Sequence, residues 1–212
     1  MVPAALITAV YDSYDPLKPF PEQVGVVDAV CVTDDPDLRV DGWRMVYDPQ
    51  PGMHPNRAAK RPKMLPHDYT DAEASVWIDA SFWIHSPTFV VDALALADPV
   101  AQFVHPERNC LFDETNVCLP LDKYRGEPMA DQVARYDIPP NWGLWATGVI
   151  ARHHTDAVAK WGAEWLAECE RWSFQDQLSH PYVCWRHGIR PVSLPGYHFS
   201  NPWLRYQGSA RH

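Results

Sequence analysis

The 212-residue chain has no excess of positive charge: 18 Lys and Arg stand against 27 Asp and Glu, a formal net charge of −9. A protein that coats nucleic acid concentrates Lys and Arg against phosphate, so the balance argues against that class while leaving room for a local basic patch. The five cysteines (Cys31, Cys110, Cys118, Cys169 and Cys184) form no zinc-type CxxC pair, and several sit in apolar or helical contexts. Reduced core thiols are therefore expected, and with them a reducing compartment. No hydrophobic run is long enough to span a bilayer. The stretch Met1–Val10 carries no basic leader and reads as a first strand, so a soluble, cytoplasmic protein without a membrane partner is expected. Internal repeats, low-complexity tracts and domain linkers are also missing, which points to a single domain over residues 1–212.

What is present suits a well-buried core: 46% of residues are hydrophobic and ten are Trp. Apolar runs at Ala4–Val10, Val26–Thr33, Trp43–Tyr47, Val76–Asp79, Val100–Val104 and Leu144–Arg152 read as strands. Helical stretches are expected at Asn56–Leu65 (basic, with Pro62 limiting its regularity), Thr88–Ala97, Thr155–Arg171 and Gln175–His187. Thr155 would cap the third of these and Gly188 would end the fourth. Cys110 to Pro140 is polar and broken by Pro and Gly, with no clear register. The tail from Pro191 reads as irregular. Strands alternating with helices predict an α/β fold with a mostly parallel central sheet flanked by helices.

Ser75-Val-Trp-Ile-Asp-Ala-Ser81 is the most informative stretch. A buried strand that ends in Asp79 would carry a hard oxygen ligand to the carboxyl edge of the sheet, where open α/β sheets bind substrates. Such a ligand suits Mg²⁺ or Mn²⁺ holding a diphosphate; the plainer reading is a carboxylate that caps the next segment. Lys60-Arg-Pro-Lys63 is either a solvated helix face or a contact to a nucleotide diphosphate. His105-Pro-Glu-Arg108 follows a strand and is placed to face the same edge. His153-His154 lacks a nearby third ligand and reads as structural. Asp176 and Gln177 start a helix, as a cap or as a pair that orients a substrate hydroxyl. His198, in Gly196-Tyr-His-Phe-Ser-Asn-Pro-Trp203, is a structural imidazole or a late ligand joining Asp79 on one metal. Among the Trp residues, Trp83, Trp142, Trp145 and Trp203 are candidates for sugar stacking, although most Trp side chains serve the core.

Five segments, taken in order, resemble the glycosyltransferase-like domain once classed as a domain of unknown function and found in plant mucilage-related, bacterial and phage proteins. They are Thr8-Ala-Val-Tyr-Asp-Ser-Tyr-Asp-Pro-Leu17, Arg61-Pro-Lys-Met-Leu-Pro-His67, Ser75–Ser81, His105-Pro-Glu-Arg-Asn-Cys110 and Gln175-Asp-Gln-Leu-Ser-His-Pro-Tyr182. More distantly, the pattern is similar to family-8 retaining glycosyltransferases of the GT-A fold. The resemblance implies a GT-A-like domain that moves a sugar from a nucleotide-diphosphate sugar, UDP favoured, to a hydroxyl acceptor on a protein, a glycan or a hydroxymethylated DNA base. It implies a divalent metal, Mn²⁺ or Mg²⁺, on Asp79 and His198, with Ser81 where the second carboxylate of the DxD motif stands. Tyr11 and Asp12 match the nucleoside-holding loop, and Asp176 and Gln177 match a pair near the donor sugar. Asn201-Pro-Trp203 stands where family-8 enzymes have Lys-Pro-Trp. Lys63 would supply the phosphate with a cation from the other side, and Arg61, His105 and Arg108 are further donor-binding residues. Two rival classes remain: a catalytically weak nucleotide-sugar-binding module, suggested by Ser81, and a metal-dependent phosphohydrolase, for which Asp113-Glu114 is the one obvious second carboxylate cluster.

Overall fold

The computed structural model describes residues 3–207. Its strands are β1 (Ala4–Val10), β2 (Val26–Thr33), β3 (Arg44–Tyr47), β4 (Ala74–Ile78), β5 (Phe82–Ile84), β6 (Val100–Val104), β7 (Trp145–His153), β8 (Val192–Ser193) and β9 (Leu204–Tyr206). The helices are α1 (Pro55–Ala58), α2 (Lys60–Met64), α3 (Phe89–Leu96), α4 (Leu111–Cys118), α5 (Met129–Val133), α6 (Asp156–Arg171) and α7 (Asp176–His187). Seven strands form one sheet in the order β3-β2-β1-β4-β7-β6-β8, and β5 and β9 make a separate two-stranded ribbon. Only β7 runs against the others in the large sheet: it is antiparallel to both β4 and β6, whereas the remaining pairs are parallel. This is the expected α/β, GT-A-like architecture.

The sheet is covered on both faces, which is why its strands read as continuous apolar runs rather than alternating ones. Leu6, Val76, Ile78 and Phe103 pack with Phe89 and Val90 of α3 on one face. Ala5, Ile7, Val32 and Trp77 pack with Trp161 and Trp165 of α6 on the other. Burying a side chain of this size stabilises the fold by about 1.5–3 kcal/mol each. The Thr155 side chain accepts the Val158 N–H at 3.2 Å and starts α6, while Gly188, at φ 65°, ends α7 in the left-handed region.

Several elements differ from expectation. The basic helix at 56–65 pauses at Ala59 and restarts as α2. Pro62 has no N–H to give Ala58, so the ladder breaks there, and the restart places Pro62 in a first turn where no donor is needed. The middle segment folds as α4 and α5 with 3₁₀ turns at Pro66–Asp68 before it and Asp122–Tyr124 within it. The tail from Pro191 is not irregular throughout: β8 pairs with Ala101 and Gln102, and β9 pairs with β5, Phe82 opposite Tyr206 and Ile84 opposite Leu204. Strands of two or three residues carry no readable period, and their pairing comes from partners about ninety positions or more away. All five cysteines are buried and unbridged. Among the described residues no helix is long and apolar enough to cross a membrane.

Gly162 is where α6 meets the end of α2: a Cβ there would lie 2.2 Å from the Met64 carbonyl oxygen. Helix propensity alone predicts that Gly162→Ala stabilises by about 1 kcal/mol. Backbone overpacking reverses the sign, and urea denaturation is expected to show a loss of about 1–3 kcal/mol; a variant as stable as the parent refutes this close approach.

Candidate active site

The carboxyl ends of β1, β4 and β6, the start of β7 and the N-terminus of α7 surround a cavity of about 420 Å³. Parallel strands end on the same side, so Tyr11, Asp79 and His105, each just past its strand, reach one edge by topology alone. Tyr11, Lys63, Asp79, Ser81, His105, Arg108, Asp176, Gln177 and His198 all line this cavity.

Asp79 is held from several sides. Its backbone N–H donates to the Gly148 carbonyl at 2.9 Å, and its Oδ1 accepts the Trp77 indole N–H at 2.7 Å. Lys63 Nζ stands 3.7 Å from Oδ1, and the carboxylate remains 40% exposed toward the cavity. Gly148 leaves it room, since a Cβ there would sit 3.0 Å from Asp79 Oδ2 and 3.1 Å from the Phe82 ring.

Beneath it lies a buried charge cluster. The Asp176 Oδ2 accepts from Lys63 Nζ at 2.7 Å and from Lys60 Nζ at 2.9 Å, and its Oδ1 accepts the Thr147 hydroxyl at 2.8 Å. Burial pushes the Asp176 carboxyl pKa up, but the two ammonium groups overcome that and hold it well below the usual range. Burial likewise pulls Lys63 down, and Asp176 followed by Asp79 reverses the effect, so the ammonium stays charged. Lys63 also lies over the Trp77 ring, 5.8 Å from its centre. Gln177 donates its side-chain N–H to the Trp145 carbonyl at 2.8 Å.

His105 Nδ1 accepts the backbone N–H groups of Glu107 and Arg108 at 3.2 and 3.0 Å. Burial holds its pKa below the ordinary value, partly opposed by Glu114. The Arg108 guanidinium is engaged by Glu114 and by Glu107, the latter at 2.8 Å. Two expected donor-binding residues fall outside the cavity lining. Arg61 pairs with Asp68 at 2.6 Å, and Asp12 gives its backbone N–H to the Asp34 carboxylate from a positive φ of 51°. Asp113, half of the second carboxylate pair that a phosphohydrolase would need, is exposed on α4 and does not line the cavity; Glu114 does, but is tied to Arg108.

His198 is brought into the same cavity by the tail. Burial lowers its pKa to about 4, assisted by His105 and opposed by Asp79, so the ring is neutral near pH 7. Its buried Nδ1 has no hydrogen-bond partner among the described residues. Ser81 is buried in the same lining, and its carbonyl accepts the Gln207 N–H. No group of three or more His, Cys, Asp or Glu side chains converges among the described residues. Asp79, with an exposed carboxylate, and His198, with a neutral imidazole, are the two side chains here that could hold a divalent ion, and its remaining positions would fall to phosphate oxygens and water.

A strand-end carboxylate, two lysines held by one buried carboxylate and a neutral imidazole thus share the carboxyl edge of a GT-A-like sheet. The chain belongs to the TOD1/MUCI70, glycosyltransferase-like domain family, whose model matches residues 25–194. No curated protein sequence matches the chain. Lys60, Thr147, Gly148 and Glu114 were not among the expected site residues; Lys60 carried a sequence signal as part of the basic group with Lys63, and Glu114 as half of the Asp113-Glu114 pair. Of the four Trp candidates for stacking, Trp145 and Trp203 are buried and none lines the cavity.

Replacing Asp176 leaves the buried Lys63 and the partly buried Lys60 without their shared partner, and Asp176→Asn is expected to cost about 3–5 kcal/mol at pH 7. Because the folded pKa is depressed, the contribution is present above the unfolded carboxyl value of about 4 and is lost as pH falls below it toward the native value. Denaturation curves at pH 7 and at about pH 3.5 should therefore show the gap between parent and variant narrowing in acid; a gap independent of pH removes the ion cluster as its cause.

Proposed function

We infer that this domain is a metal-dependent glycosyltransferase that moves a sugar from a nucleotide-diphosphate sugar to a hydroxyl acceptor. The observation that carries the reading is Lys63, buried yet kept charged by Asp176, lying 3.7 Å from the strand-end carboxylate of Asp79. Breaking the bond between the sugar and the diphosphate puts negative charge on the leaving phosphate, and preorganised cations in a shielded site stabilise that charge most. Lys63 supplies one such cation, with Lys60 beside it. Asp79 and His198 would hold a divalent ion, Mn²⁺ or Mg²⁺, whose chemistry when bound is to neutralise the same diphosphate.

Tyr11 provides a wall for the nucleoside, with UDP favoured through the family-8 resemblance. Its hydroxyl is buried without a hydrogen-bond partner among the described residues, which suits a ligand there. Gln177 lines the donor-sugar region. Asp176, the other member of that pair, has both oxygens committed and acts through Lys63 as a positioning residue. The candidate bases are likewise committed: His105 Nδ1 to backbone N–H groups and Glu114 to Arg108. That supports a retaining reaction in which the departing phosphate takes the acceptor's proton. Ser81, neutral where the DxD motif has a second carboxylate, favours one rival, a nucleotide-sugar-binding module with little turnover. Buried free thiols suit a cytoplasmic location, which belongs to the same proposal.

The test is a thermal-shift screen of UDP-, GDP-, ADP- and CMP-sugars with and without Mn²⁺, followed by donor-hydrolysis assays. Binding to the folded state raises its apparent stability, so one donor should produce a shift that needs both Mn²⁺ and Asp79. Asp79→Ala is expected to lose that shift, and Lys63→Met to lower turnover by about 10²–10³, the scale of a lost electrostatic stabiliser. No shift from any donor sinks the reading; a shift without hydrolysis selects the binding module.

A further inference from the structure

The cavity wall carries two aromatic rings that the donor chemistry does not use. Tyr11, Trp77, Phe82, Tyr124 and Phe174 also line it, but are buried; Phe199 is 57% and Tyr206 41% exposed. Exposed apolar rings inside a polar cleft are freed of water only when a ligand covers them. They are not loose. Their centroids lie 4.8 Å apart at 62°, and both rest on Phe82, Phe199 at 6.4 Å and 27°, Tyr206 at 5.5 Å and 63°. Phe82 is buried on β5, directly after Asp79-Ala80-Ser81, and pairs with Tyr206 across the ribbon. The ribbon thus fixes the ring pair relative to Asp79, and little ordering remains to be done on binding.

The position of the pair along the sheet edge separates it from the nucleoside wall. Tyr11 follows β1, on one side of β4 and Asp79. The Phe199 ring packs 3.7 Å from the ring of His198, which shares the cavity lining with His105, at the end of β6 on the other side of β4, and feels its charge and that of Asp79. A donor with its base at Tyr11 and its diphosphate at Lys63 and Asp79 leaves Phe199 and Tyr206 on the side where an acceptor must enter. Of the cavity-wall cations, Lys60 and Lys63 lie on α2, Lys123 follows α4, and Arg108, just past β6, is engaged by Glu107 and Glu114; none comes from the ribbon or the His198 segment. A nucleic-acid acceptor would call for such cations beside its stacking rings, in a chain of net charge −9.

We propose that Phe199 and Tyr206 form the acceptor subsite and that the acceptor is a carbohydrate, whose pyranose C–H face stacks on the rings while its hydroxyls face the polar cleft. The acceptor role rests on the transferase reading; sugar binding at the rings does not. Saturation-transfer NMR on the full chain tests it, with methyl β-D-glucopyranoside, methyl β-D-galactopyranoside, cellobiose, maltose and lactose as probes and uridine as a control. At least one sugar should receive saturation at its ring C–H protons. Phe199→Ala and Tyr206→Ala should each weaken its binding at least tenfold, Phe199→Trp should retain it, and uridine binding should be unchanged in all three. No signal from any sugar, or a Phe199→Ala variant equal to the parent, overturns the proposal. So does loss of uridine rather than sugar in that variant, which would assign the rings to the donor base. A parent that binds sugar through these rings but no nucleotide sugar overturns the donor site alone.

Discussion

One buried carboxylate shared by two lysines organises the functional end of this molecule. Lys60 and Lys63 arrive on a five-residue helix with no acidic residue of its own, and Asp176 arrives at the start of α7, more than a hundred positions later. Removing an unpaired ammonium from water costs several kcal/mol, so these groups enter the interior only together. Thr147 on β7 takes the other carboxylate oxygen, and the Trp165 indole N–H takes the Asp176 backbone carbonyl at 2.9 Å. A helix, the antiparallel strand and two late helices are thereby tied to one point. The Lys63 carbonyl is held in turn by Arg152, a guanidinium buried in β7 with no carboxylate paired to it among the described residues.

The cluster holds more positive charge than its one carboxylate balances. Two positive groups face one buried carboxylate, and the remaining charge is directed toward Asp79 and the cavity. The Lys63 cation is fixed in place rather than carried on a flexible surface stem. Asp79 needs the same rigidity, which comes from the Trp77 indole, the Gly148 carbonyl and the space left by the missing Cβ of Gly148. The opposite wall is made of different material: the β5–β9 ribbon presents aromatic rings and a neutral imidazole. The cavity thus combines paired charges around Asp176 and Asp79 with exposed aromatic rings on the ribbon side, a combination suited to two substrates of different chemistry.

Much of the sheet was legible because β1, β2, β4 and β6 are buried on both faces, and such strands leave uninterrupted apolar runs in the chain. The strand-end position of Asp79 followed from the same pattern, as did Thr155 and Gly188 at helix ends, where capping chemistry is local. The short elements were not legible. β5, β8 and β9 have two or three residues each, and their pairing belongs to distant partners. Arg61 and Lys63 illustrate the same limit within one motif: two residues apart in a basic group, one is turned outward to Asp68 and the other inward to Asp176. The Trp residues misled for a related reason, since abundance of a ring type says nothing about which copies the core consumes.

What the sequence by itself determined is the alternation of strands and helices, the parallel sheet and the arrival of a carboxylate at its edge. These depend on burial patterns and caps spanning a few residues, and the chain carries them openly. The tertiary structure decided which charges are paired and which are free. That choice depends on groups meeting where water is largely excluded, many of them far apart in the chain: Asp176 between two lysines more than a hundred positions earlier, and His198 in the cavity that Asp79 also lines. Coulombic and desolvation energies act through space, and space is what a linear chain does not record.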